Sequence, residues 1–169
     1  YVTTAENTSC TTFRTALDQN VYDLENARLK LDDFLQDTEE EEFLIAKREY
    51  MITELRYWLL ASQAKKTCKE DTISVLFFYR KNTLCGTCGT QGVILTYLKE
   101  KFKDKLLIFS LDADVNEPMI NILKSTYNVS TTPSLVIEEK VFIGLTKKEE
   151  IQEEICKNLQ TVIKECKAV

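Results

Sequence analysis

The sequence predicts an α/β protein in which an antiparallel α-helical hairpin precedes a mixed sheet of order βαβαββα. Apolar residues recur at helical spacing from about residue 10 to residue 66. Two continuous apolar runs follow, at Ile73–Tyr79 and Leu106–Leu111, as in strands buried on both faces. Amphipathic segments alternate with these runs, which is typical of a sheet covered by helices. We therefore predict two domains, the hairpin at residues 1–70 and the sheet domain at residues 71–169.

The first helix is predicted from residues that recur alternately every three and four positions, with one polar interruption at Asn20. This seam comprises Cys10, Phe13, Leu17, Asn20, Leu24, Ala27, Leu31 and Phe34. Thr38 and Glu41 match a capping box, which predicts the start of the second helix. A wide apolar face around Tyr50 and Trp58 follows. The hairpin is interpreted either as packing support or a spacer, or as a surface for dimerisation or substrate docking.

Two cysteines fall at the open end of this hairpin. Cys10 lies 28 residues before Thr38, and Cys68 lies 30 residues after it. At ~1.5 Å per residue the two arms differ by only about 3 Å, so the two thiols meet. We predict a Cys10–Cys68 disulfide; the alternatives are two buried thiols or other pairings, because spacing alone does not give connectivity. Stable disulfides are uncommon in the cytosol, so this pair also predicts an extracytoplasmic location.

The remaining elements of the second domain follow from periodicity. They are the helices Gly86–Phe102 and Asn116–Tyr127, the short strands Ser134–Ile137 and Val141–Ile143, and a closing helix Thr146–Lys167.

Cys156 and Cys166 are ten residues apart on the closing helix, about 15 Å along its axis. The Cα atoms of a disulfide are usually within about 7 Å, so these two cannot pair unless the helix breaks. We predict buried or free thiols here, with pairing to other cysteines as the alternative.

Composition narrows the possible functions. The formal charge of −5 carries no basic block, which argues against a nucleic-acid partner. No apolar run approaches the ~20 residues that span a bilayer, and no secretory signal is present. The chain begins at Tyr1 rather than Met, which indicates processing or truncation, with any signal or membrane anchor lying upstream. Histidine is absent, which excludes Ser-His-Asp and Cys-His catalysis, so the chemistry should depend on the six cysteines.

The segment Cys85-Gly86-Thr87-Cys88 lies between a predicted strand and the start of a predicted helix. A helix N-terminus has free amide N–H groups and partial positive charge, which stabilise a thiolate. We predict Cys85 to be the more exposed and more acidic thiol, with Cys88 resolving the mixed disulfide. Gly86 is expected to permit the tight backbone between the two sulfurs.

A zinc site is the alternative interpretation of this motif. Zinc would need two more ligands, and without histidine only scattered cysteines or carboxylates remain: Cys68, Cys156 and Cys166. The same lack of histidine argues against copper handling. We predict no metal and no organic cofactor.

Pro133 directly precedes an apolar strand. Since proline cannot donate a hydrogen bond to the sheet, it often occupies the first position of a strand, and the residues alone support no more than that. From Ile73 to Leu159, however, the sequence resembles the thioredoxin-like superfamily. The most specific matches are Leu111–Pro118, Lys124–Val129, Thr131–Leu135 and Gly144–Lys147.

This resemblance implies that Pro133 is a cis-proline beside the cysteine pair and that the backbone of Thr132 contacts a substrate peptide. Gly86 and Thr87 complete the implied substrate-binding surface. The sequence departs from the family at Leu84, where an aromatic residue is usual, and at Phe77, where many members have a buried acid.

These features predict a thiol–disulfide oxidoreductase that acts on protein cysteines through Cys85 and Cys88, outside the cytoplasm. A redox partner would reset the pair. The alternative is a redox-weak module with the same fold that uses the hairpin to recognise a partner.

Overall fold

The computed structural model describes residues 2–34 and 40–167. The chain divides into two compact units, Tyr1–Glu70 and Asp71–Val169.

The first unit is a pair of long helices that pack against each other, α1 (Val2–Asp32) and α2 (Glu41–Cys68). On α1 the buried and half-buried positions include the predicted seam, with Asn20 and Ala27 the most buried. Thr38 of the predicted capping box lies outside the described residues. Cys68 forms a disulfide with Cys10, the pair that the arm lengths predict, with a Cα–Cα distance of 5.4 Å.

The polar interruption of the seam belongs to a buried polar cluster in the first unit. Asn20 donates a hydrogen bond from Nδ2 to the Thr53 carbonyl at 3.1 Å. The Tyr50 hydroxyl donates to Oε1 of Glu54 at 2.8 Å, and Glu54 is only 4% exposed. Among the described residues, neither Asn20 Oδ1 nor Glu54 Oε2 has a hydrogen-bond partner. Burial raises the pKa of Glu54 to about 7, although the Tyr50 hydrogen bond lowers it.

Glu54 should make the stability of the hairpin depend on pH. Its pKa is about 7 in the folded state, against an ordinary value of 4.5, so the folded chain binds this proton more tightly. The free energy of unfolding should therefore fall by about 3 kcal/mol as pH rises from roughly 4.5 through 7. The E54Q variant should lose this dependence and be the more stable protein at pH 8. Urea titrations at a series of pH values measure this free energy of unfolding, with the fluorescence of Trp58, the only tryptophan in the sequence, as the signal.

The matched control is E49Q, since Glu49 lies on the same helix, is exposed and has only a 3.7 Å ion pair with Lys30. Exposed pairs of this kind contribute little to stability. Equal pH profiles for E54Q and the unsubstituted protein would contradict the assignment.

The second unit is built on a four-stranded mixed sheet of order β2-β1-β3-β4. β1 (Ile73–Tyr79) pairs in parallel with β2 (Leu106–Asp112) and antiparallel with β3 (Ser134–Ile137). β4 (Lys140–Ile143) pairs antiparallel with β3. β1 and β3 are almost wholly buried, because both have neighbours on each edge and an apolar side chain at nearly every position. The predicted α/β class with its helical hairpin is confirmed and is consistent with a thioredoxin-like fold.

The first two helices of this unit, and the start of the third, lie within two residues of the predicted bounds. The described helices are α3 (Cys88–Phe102), α4 (Pro118–Thr126), α5 (Lys148–Asn158) and α6 (Lys164–Lys167), with a 3-10 turn at Lys103–Lys105. A core cluster joins β1, β2, β3, α3 and α5, including Val75, Leu98, Leu135 and Ile151.

The prediction of one continuous closing helix is wrong. The chain leaves helical geometry after Asn158 and becomes helical again only at Lys164. Asp71 stabilises this break: its carboxylate accepts hydrogen bonds from the Gln160 amide at 2.7 Å, the Thr161 amide at 3.1 Å and the Thr161 hydroxyl. Burial raises the pKa of Asp71, but the hydrogen bonds from Thr161 and Gln160 and the charge of Lys105 lower it to about 2.

The break corrects the prediction for the last two cysteines. Cys156 and Cys166 are not free thiols; they form a disulfide with a Cα–Cα distance of 5.6 Å. The chain reverses between α5 and α6, which brings together two residues that a straight helix would hold about 15 Å apart.

Candidate active site

The four-residue motif lies where the chain leaves β1 and enters α3. Tyr79 ends β1, and the amides of Leu84 and Cys85 both donate to the Lys81 carbonyl, at 2.8 Å and 3.1 Å. This turn directs the chain into the helix. α3 begins at Cys88 rather than at Gly86, and Cys88 forms a disulfide with Cys85 across a Cα–Cα distance of 5.5 Å.

The predicted difference in exposure between the two cysteines is wrong. Cys85 is 5% exposed and Cys88 is 4% exposed, so both are buried. The residues between them, Gly86 and Thr87, are exposed. The reason lies in the turn before the motif, which exposes Leu84 and packs Cys85 inward.

The expectation that a tight backbone between the two sulfurs requires glycine at position 86 is wrong. A Cβ atom built at Gly86 meets no other atom within 4 Å. The position that a side chain at residue 86 would occupy is therefore open.

Pro133 lies at the same end of the sheet as the motif. Phe78 of β1 is paired with Ser134 of β3, so the residue before Ser134 falls next to the end of β1 from which the chain continues toward Cys85. The Thr132–Pro133 peptide bond is cis. The Pro133 carbonyl accepts a hydrogen bond from the Gly144 amide at 2.9 Å.

A cavity of about 450 Å³ is lined by the residues that precede Cys85 and Pro133; its lining among the described residues includes neither cysteine of the motif nor Pro133 itself. Leu84, the residue before Cys85, lines it, and so does Thr132, the residue before Pro133. The other lining residues are Arg80, Ala113, Asp114, Lys124, Val129, Ser130 and Thr131. Leucine, alanine and valine side chains give the cavity apolar surface, while the 130–132 segment adds hydroxyl and backbone polar groups.

The charged groups of the cavity wall are held in place by hydrogen bonds. Arg80 donates from Nε to both carboxylate oxygens of Asp114 at 2.9 Å, and this hydrogen bond raises the pKa of Arg80. Lys124 donates from Nζ to the Ala113 carbonyl at 3.1 Å. The amide of Asp114 donates to Oδ1 of Asp112 at 2.9 Å. Asp114 and Lys124 fall within the stretches that resemble the thioredoxin-like superfamily. No sequence pattern indicated that Arg80 would line this cavity.

Two buried side chains near the start of α3 are Phe77 of β1 and Gln91 of α3 itself. Phe77 is buried in the core cluster and approaches Gly92 of α3, where an added Cβ would lie 4.0 Å from its ring. Gln91, one turn after Cys88, is fully buried. We did not predict Gln91, although its spacing from Cys88, Leu95 and Leu98 places it on the buried face of the helix.

No described feature points to a metal or to a membrane span. Residues 2–34 and 40–167 contain no group of three or more cysteine, aspartate or glutamate side chains placed to hold a metal ion. All six cysteines are in disulfides. Within the same residues, no helix combines the length and apolar content that crossing a bilayer requires.

Comparisons with known proteins give similarity in structure only. Neither a scan against protein-family models nor a search of curated proteins found a match. Among solved structures, the germline-specific thioredoxin Deadhead of Drosophila melanogaster is 21% identical over 61% of this chain and 92% of its own, with a TM-score of 0.46. A malarial protein is 19% identical over 52% of this chain and 98% of its own, with a TM-score of 0.44.

Proposed function

We propose that this protein is a thiol–disulfide oxidoreductase that acts on protein cysteines through Cys85 and Cys88. The observation that carries the proposal is a disulfide at the start of α3, with a cavity nearby in the fold that is lined by Leu84, the residue before Cys85, and by Thr132, the residue before Pro133. The amides that open a helix favour negative charge on a nearby sulfur. The same arrangement offers backbone groups at Thr132 with which an extended substrate can pair.

The reaction runs by two thiolate displacements. A substrate thiolate attacks Sγ of Cys85, the Cys85–Cys88 bond breaks, and Cys88 leaves as a thiolate. A second substrate thiolate then attacks the substrate sulfur of the mixed disulfide and releases Cys85. The substrate gains one disulfide, the pair gains two electrons, and a redox partner must take these electrons away. The reverse sequence reduces a substrate disulfide.

The disulfides support a proposal about the cellular location. Three disulfides within 169 residues suit an oxidising compartment, since cytosolic thiols are kept reduced. We propose an extracytoplasmic location on this ground.

A binding module is the second candidate, and one observation favours it: Cys85 is as buried as Cys88. A thiol that substrates cannot reach would leave the cavity as a recognition surface without redox chemistry.

A glutathione redox titration separates the two candidates. Thiols are trapped by alkylation at each potential and assigned by mass spectrometry. We expect the Cys85–Cys88 pair to open reversibly between about −120 and −270 mV, the range of known redox-active pairs. Cys10–Cys68 and Cys156–Cys166 serve as internal controls and should stay oxidised to below about −300 mV. If all three pairs open together below that potential, the binding module is the better account.

A further inference from the structure

Gln91 is a buried amide whose two polar atoms are both used. It is 0% exposed and lies on α3 one turn after Cys88. The Thr146 amide donates to Oε1 of Gln91 at 2.8 Å, and Nε2 of Gln91 donates to the Thr146 carbonyl at 3.3 Å. Burying an amide is unfavourable unless its groups are bonded, so this double contact fixes both partners.

Two further hydrogen bonds connect Thr146 to Pro133 through Gly144. The Thr146 hydroxyl donates to the Gly144 carbonyl at 3.2 Å, and the Gly144 amide donates to the Pro133 carbonyl at 2.9 Å. Gly144 has a φ of +81°, a conformation that residues with a side chain rarely adopt. Residues 144–146 therefore bridge α3, which begins at Cys88, and the Thr132–Pro133 segment that precedes β3.

We propose that Gln91 is a positioning residue that sets the distance and angle between the Cys85–Cys88 pair and the Thr132–Pro133 segment. This inference rests on the proposed function. A displacement at sulfur requires the attacking and leaving sulfurs to be in line, and a substrate held on Thr132 reaches that geometry only if this segment is fixed relative to Cys85. Misplacement of reacting groups by about 1 Å can cost on the order of 100-fold in rate.

The test compares Q91M with Q152M. Methionine keeps the length of glutamine and removes both hydrogen-bonding atoms. Gln152 is a matched control because it is also buried, at 9% exposed, but its amide contacts Lys101 and the Glu165 carbonyl. Each variant is assayed with a disulfide-containing peptide, which needs the backbone of Thr132, and with a small aromatic disulfide, which does not.

We expect Q91M to lower kcat/KM for the peptide about 10- to 100-fold and the rate with the small disulfide less than about threefold. Q152M should leave the ratio of the two rates unchanged. Amide hydrogen exchange gives a readout independent of turnover: in Q91M the Gly144 and Thr146 amides should lose protection, while β1 keeps it.

Equal losses with both disulfides, or the same rate ratio in Q91M and Q152M, would show a structural role only and overturn the inference. An unsubstituted protein that reacts with neither disulfide would instead overturn the proposed function, and the positioning role would fail with it. Unchanged exchange at Gly144 and Thr146 would overturn the bridging contact itself.

Discussion

Replacing Cys85 with serine should reduce turnover of insulin disulfides, and oxidation of a reduced dithiol peptide, to the uncatalysed rate. Without Sγ of Cys85 the motif cannot form its own disulfide, and the serine hydroxyl does not undergo thiol–disulfide exchange. The remaining thiol of Cys88 cannot complete the cycle alone, because each turnover needs both sulfurs of the pair. Both assays are needed because either direction of electron flow is open to this pair.

The companion variant C88S tests the order of the two displacements. Cys85 can still form a mixed disulfide with substrate, but no second thiol resolves it, so a one-to-one covalent complex should accumulate and be visible on a non-reducing gel. The matched control replaces both Cys156 and Cys166 with serine, which removes a disulfide without touching the motif. Full activity in C85S, or equal losses in C85S and the control, would contradict the catalytic assignment.

Replacing both Cys10 and Cys68 with serine should destabilise the helical hairpin by about 4 kcal/mol. These residues are 58 positions apart, so the disulfide strongly restricts the unfolded chain. The described residues of the hairpin form two helices, α1 and α2, and they include the unsatisfied oxygens of Asn20 and Glu54. Such a unit depends on a covalent link more than a larger core would.

The measurement is a urea titration followed by Trp58 fluorescence, which reports on α2. The midpoint should fall markedly in the double variant, while removal of Cys156–Cys166 should leave this transition unchanged, because that pair belongs to the second unit. An unchanged midpoint in the Cys10/Cys68 variant would mean that helix packing alone stabilises the hairpin.

The features that the sequence predicted well are those that depend on local pattern. β1 has the predicted bounds because Ile73–Tyr79 is a continuous apolar run, and the β3 bounds were likewise correct. The α1 seam was visible because its period is regular. The pairing of Cys10 with Cys68 followed from arm length, which is fixed by the rise of a helix.

The features that the sequence did not predict depend on distant contacts. The Glu- and Lys-rich pattern of the closing helix continues past Asn158, and the break comes from Asp71, whose partner Gln160 lies 89 positions away. The burial of Cys85 depends on how the preceding turn packs, which periodicity does not report. The partner of Gln91, Thr146, is 55 positions further along the chain. Helical spacing therefore places Gln91 on the buried face of α3 but does not identify its hydrogen-bond partner.

The hydrogen bonds of Asp71 also join the two ends of the second unit. The carboxylate stands at the first residue of that unit and accepts from the backbone at Gln160 and Thr161, near its far end. A domain whose entry and exit points adjoin can be inserted into a loop of another protein, or cut open and rejoined in a new order, without stretching its connections. Residues 71–161 thus have their first and last positions within hydrogen-bonding distance, the arrangement that such rearrangements require.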